Sequence, residues 1–65
     1  MWLARDENGK LYLFFGTKEP TKRGFVWYAW GDYTEIIDEF PSVKWEDKQP
    51  TKVKDTDKNE LVICG

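Results

Sequence analysis

This chain has no histidine, one cysteine and three prolines in 65 residues. Without histidine it lacks the side chain that most often serves as a general base near neutral pH. Cys64 alone closes no intrachain disulfide, and one thiol builds no structural zinc site. It is expected to be a small buried or frayed residue rather than a nucleophile. No glycine loop of the phosphate-cradling kind occurs. The carboxylate pairs Asp38-Glu39 and Glu46-Asp47 are sequence neighbours, which point apart on extended backbone. Asp32, Glu35, Asp38 and Glu39 lack the alternate-position spacing of a calcium loop. The expectation is a protein without enzymatic activity, cofactor or metal. No apolar run approaches the ~18 residues of a membrane span. The start, Met1-Trp2-Leu3-Ala4-Arg5-Asp6, has neither the basic opening nor the apolar stretch of a secretory signal. With a lone cysteine, this favours a reducing, cytoplasmic setting.

What the chain has is aromatic residues: four tryptophans, three tyrosines and four phenylalanines. Two segments are apolar on both strand faces. In Lys10–Phe15, alternation sets Leu11, Leu13 and Phe15 on one side and Tyr12 and Phe14 on the other. In Phe25–Trp30 it separates Phe25, Trp27 and Ala29 from Val26, Tyr28 and Trp30. A sheet apolar on both sides needs two covers, and a domain this small is expected to supply one. The second cover is expected to be another protein, a copy of the same chain, or a ligand.

Along the chain, Trp2–Arg5 reads as a first strand. The turn Asp6-Glu7-Asn8-Gly9 leads into a second over Lys10–Phe15, because Asn-Gly tolerates positive φ. Residues 16–24 read as a loop, and Phe25–Trp30 as a third strand at the centre of the sheet. Tyr33–Ile37 reads as a short strand. At most one helical turn follows near 38–43, with Phe40 constrained by Pro41. Phe40 and Trp45 could plug one end of a rolled sheet. Thr51–Lys54 reads as an edge strand that Lys52 and Lys54 guard, and Leu61–Cys64 as the last. The fold class is therefore all-β: a single small domain, an antiparallel rolled sheet or barrel of five or six strands.

The net charge is −2, but its distribution is uneven. Lys18, Lys22 and Arg23 cluster before the third strand, and Asp32, Glu35, Asp38 and Glu39 follow it. Protein binding is the leading class, because Trp and Tyr dominate interface hot spots and an acidic face suits a basic partner. The candidate contact residues are Trp30, Asp32, Tyr33, Glu35, Asp38 and Glu39. The alternative is a small-ligand or nucleotide binder using Lys22 and Arg23, with stacking from Tyr28. A third reading is a self-associating homo-oligomer. General nucleic-acid binding is disfavoured, since three cations release few counterions. Arg5 and Lys10, beside the first turn, read as solvated.

The block Phe40-Pro41-Ser42-Val43-Lys44-Trp45-Glu46-Asp47, followed by Pro50 and Val53, resembles a block in small proteins encoded by bacteriophages and prophages. The upstream Leu11-Tyr12-Leu13-Phe14 segment and the tryptophan strand after it are also similar, so the resemblance spans residues 10–54. It implies a setting rather than a chemistry. Small phage proteins often block host defences by binding an effector protein or sequestering a nucleotide signal. On that resemblance the chain would be a modulator or inhibitor of a bacterial host protein, acting in the host cytoplasm.

Overall fold

The computed structural model describes residues 1–16, 18–37, 40–56 and 60–64. These form seven strands and no helix: β1 (Trp2–Arg5), β2 (Leu11–Phe14), β3 (Thr21–Arg23), β4 (Val26–Tyr28), β5 (Tyr33–Ile36), β6 (Thr51–Asp55) and β7 (Leu61–Ile63). Five make an antiparallel sheet in the order β5-β2-β1-β6-β7, and β3 and β4 pair as a separate hairpin. The large sheet stays open, with β5 and β7 at its edges.

The β1–β2 turn is built by Gly9 more than by Asn8. Gly9 has φ of 90°, whereas Asn8 has no positive φ. Gly9 N–H donates to Asp6 C=O at 3.0 Å, and Asp6 N–H to Lys10 C=O at 2.9 Å. This is the pattern of a three-residue hairpin loop that ends on a left-handed glycine. Asn8 contributes its Oδ1, which accepts from Lys10 N–H at 2.9 Å.

Register then assigns the faces. Trp2 pairs with Phe14 and Ala4 with Tyr12, while Leu3 pairs with Leu13; Tyr33 pairs with Phe14 and Glu35 with Tyr12. One face carries a core of Leu3, Leu11, Leu13, Val43 and Val53, joined by Met1, Ile36, Phe40 and Leu61. The opposite face carries Ala4, Phe14 and Trp27, joined by Trp2, Tyr12, Ala29 and Trp45. The sheet is apolar on both sides, as its sequence indicates, but the chain supplies both covers. The 40–43 turn lies on the first face and the β3–β4 hairpin, with Trp45, on the second.

Several expectations are corrected. Thr21–Arg23 is a strand, not loop, which raises the count from five or six to seven. Phe25–Trp30 is not the sheet centre; only Val26–Tyr28 is strand, and it pairs with β3 alone. Its continuous apolarity reflects one packed residue, Trp27, between exposed Val26 and Tyr28. β1 takes the centre. β6 is interior, because its first half pairs with β1 and its second with β7; Lys52 and Lys54 project to solvent from there. The described part of 38–43 holds no helical turn. Phe40 has φ of 58°, and its C=O accepts from Val43 N–H at 3.0 Å across a tight turn. Asp38 and Glu39 lie outside the described residues. Phe40 and Trp45 sit on opposite faces, so they do not plug a common end.

Arg5 is half-buried rather than solvated. Its Nε donates to Val43 C=O at 2.7 Å, Nη1 to Gly9 C=O at 2.6 Å and Nη2 to Phe40 C=O at 3.4 Å. A planar fork of donors suits this task as a lysine would not. It ties the 40–43 turn to the end of β1.

Candidate functional site

The β3–β4 hairpin does not cover its face of the sheet completely. Between β4 and the β2–β5 part of the sheet lies an open cleft of about 320 Å³. Tyr12, Phe14 and Tyr33 form the sheet side, and Val26 to Ala29 form the hairpin side. The register explains the convergence: Tyr12, Phe14, Tyr33 and Glu35 project from the same face. Tyr33 meets Tyr12 edge to face, with ring centroids 5.7 Å apart, and is tilted against Phe14 at 5.7 Å.

Asp6 lines the cleft from the end of β1. It is the one buried charged residue among those described, at 6% exposure. Its Oδ1 accepts from Trp27 N–H at 2.9 Å. That bond holds the hairpin to the sheet, aided by Glu7 N–H donating to Phe25 C=O at 3.2 Å. Among the described residues no cation pairs with the Asp6 carboxylate. The Trp27 Nε1–H is buried without a partner, an arrangement that costs about 1–3 kcal/mol.

A shallower depression of about 200 Å³ adjoins the cleft, lined by Lys18, Glu19, Thr21, Arg23, Tyr28 and Trp30, with Ala29 between. Tyr28 and Trp30 are in edge-to-face contact at 6.1 Å. The Arg23 guanidinium lies 5.0 Å from the Tyr28 ring centre.

Of the protein-contact candidates, Trp30 and Tyr33 are strongly exposed, at 73% and 61%. Asp32 and Glu35 are exposed. The Asp32 C=O accepts from Phe15 N–H at 3.0 Å, which extends the β2–β5 pairing. Glu35 stands opposite Tyr12 in the β2–β5 register, and the residues lining the cleft do not include it. Trp30, Asp32 and Tyr33 lie close along the chain at the start of β5; Tyr33 and Glu35 project from one face of the sheet, and alternation turns Asp32 toward the other. Asp38 and Glu39 lie outside the described residues.

The alternative set, Lys22, Arg23 and Tyr28, is divided. Arg23 and Tyr28 meet, but Lys22 points to the other side of β3. Its Nζ sits 4.3 Å from the Trp45 ring centre and 5.3 Å from that of Trp27. Strand alternation makes this unavoidable for consecutive residues, once 21–23 is a strand and not a loop. The residue that sequence reasoning missed is Asp6. Its place in the turn was legible; its hydrogen bond to a residue 21 positions away was not.

Among the described residues, no group of three or more acidic or cysteine side chains is arranged to hold a metal ion. Comparison with family models, curated proteins and solved structures finds no match to this chain.

Proposed function

We propose that this chain is a non-enzymatic protein-binding domain whose contact surface is the aromatic and acidic segment of Trp30, Asp32, Tyr33 and Glu35. The observation that carries this reading is the 73% exposure of Trp30 and the 61% exposure of Tyr33 beside two exposed carboxylates. Exposed large aromatics gathered in one place mark interaction surfaces more often than singly scattered ones. The carboxylates favour a partner with a basic patch, and set register and encounter rate more than affinity. The resemblance to phage and prophage proteins makes a bacterial host protein, of the defence class, the proposed partner.

The nucleotide-binding alternative has weaker support. Its cations diverge, and the Arg23 guanidinium already lies against the Tyr28 ring that a base would need.

Capture of bacterial host proteins on immobilised chain tests the proposal. Trp30→Ala combined with Tyr33→Ala should abolish capture of any specific partner while the chain stays folded by circular dichroism, with a stability loss of about 0.5–1.5 kcal/mol for each lost ring pair. Glu35→Lys should slow association and make it less sensitive to salt. Capture unchanged by both would reject this surface.

A further inference from the structure

The cleft between β4 and the β2–β5 sheet has an unusual pairing of walls. Aromatic rings dominate it, through Tyr12, Phe14, Trp27, Tyr28 and Tyr33. A carboxylate, Asp6, is also there, at 6% exposure. One of its oxygens accepts from the Trp27 N–H. The other has no protein partner among the described residues and is not sealed off, since Trp27 Nε1 is the one fully buried side-chain polar atom without a partner among them. A carboxylate of such low exposure with no counter-charge favours a cation that arrives from outside. Aromatic faces favour the same visitor, because the ring quadrupole attracts cations with low hydration. Rings and carboxylate together select an organic cation over a neutral apolar group. They also disfavour a phosphate-bearing one.

We propose that this cleft takes an alkylammonium group, that of a lysine side chain presented by the partner protein. Exposed Glu35 supports that source, since it stands opposite Tyr12 and projects from the same face; the Arg23 guanidinium engages Tyr28 from the neighbouring depression and does not line the cleft. An alkyl stem would lie between the Tyr33 and Tyr28 sides, with the ammonium directed at the Asp6 oxygen. The inference rests on the protein-binding reading above, and adds the chemistry that the partner must offer.

The test is a titration of the whole chain, followed through the ring resonances of Tyr12, Trp27 and Tyr33. The probes are tetramethylammonium, Nα-acetyl-lysine amide, and the neutral isostere Nα-acetyl-norleucine amide. The two cations should shift these resonances at millimolar concentration, and the norleucine amide should not. Asp6→Asn keeps an acceptor for the Trp27 N–H but removes the charge; it should weaken the cations about tenfold. Tyr33→Leu, at an exposed position where leucine keeps apolar contact with Phe14, should weaken them by a similar factor, because it loses the ring face; circular dichroism checks that the variant is folded. Equal binding of the norleucine amide, or no shift with either cation, overturns the proposal. So does indifference of binding to both substitutions. Putrescine binding more tightly than an acetylated Gly-Lys-Gly amide would overturn a partner lysine as the source. If the cations fail while Trp30→Ala with Tyr33→Ala still abolishes partner capture, the cation site falls and the broader protein-binding reading stands.

Discussion

Asp6 and Trp27 are joined by a 2.9 Å hydrogen bond from the backbone N–H of Trp27 to the Asp6 carboxylate. The bond fastens a two-stranded hairpin across the face of a five-stranded sheet. It also brings the carboxylate to the floor of the aromatic cleft. Stability and the proposed recognition chemistry therefore share one side chain, and two substitutions at Asp6 separate them. Asp6→Ala leaves the Trp27 N–H without an acceptor and should cost about 1–3 kcal/mol. Asp6→Asn retains an acceptor and should cost clearly less. Urea unfolding checks this, with the midpoint moving and the slope unchanged. Equal losses for the two would mean that the hydrogen bond contributes nothing beyond the charge.

Arg5 donates to the carbonyls of Val43, Gly9 and Phe40. Lysine has a single nitrogen and does not reproduce that fork. Arg5→Lys should therefore destabilise by about 1.5–3 kcal/mol, despite conserving charge. The 40–43 turn should loosen first, and faster hydrogen exchange at Val43 N–H is the specific readout. A neutral Arg5→Lys would remove Arg5 as the anchor of that turn.

Gly16 lies against the backbone of Trp30. A Cβ on Gly16 would sit 2.7 Å from the Trp30 carbonyl oxygen. Because that atom is backbone, it cannot swing aside as a flexible side chain would. Gly16→Ala should cost about 1–3 kcal/mol through overpacking, and should displace Trp30. Gly9 makes the useful contrast: it has open space around it but φ of +90°. Gly9→Ala should cost about 1–2 kcal/mol from backbone strain alone and leave the Trp30 fluorescence environment unchanged. Thermal unfolding together with tryptophan emission distinguishes the two.

The core has little reserve. A chain of this length is expected to be stable by about 0.05–0.15 kcal/mol per residue, and Leu→Ala at a closed core site costs about 2–5 kcal/mol. Leu3 is 0% exposed on the central strand, whereas Ile63 is 40% exposed on an edge strand. Leu3→Ala should leave a large unfolded fraction by circular dichroism at room temperature. Ile63→Ala should cost far less. Comparable losses at both sites would contradict the core assigned here.

Much of the fold was legible because strand faces follow a period of two. Leu11–Phe14 showed its two faces directly, and Trp2–Arg5 and Tyr33–Ile36 were found close to their observed limits. The hairpin after Asn8-Gly9 had a local steric cause. The 21–28 region was misread for an equally physical reason. Thr21–Arg23 is polar and exposed at each residue, so it carries no hydrophobic period, and β4 then looked like a buried central strand. Of the candidate site, Trp30, Tyr33 and Glu35 were visible as aromatic and acidic residues in sequence proximity. Lys22 was mistakenly grouped with Arg23 because a loop reading leaves side-chain direction open.

The amino-acid order alone determined that this is a β protein with a two-faced apolar sheet and no histidine. Alternation and residue chemistry are local properties, and they survive without knowledge of the neighbours. Which segment lies on which face was decided only in three dimensions. Arg5 reaches a carbonyl 38 positions away and Asp6 an amide 21 positions away, and such bonds leave no local signature. The aromatic cleft is a product of those long-range ties, because it exists only where the folded-over hairpin stops short of the sheet's edge.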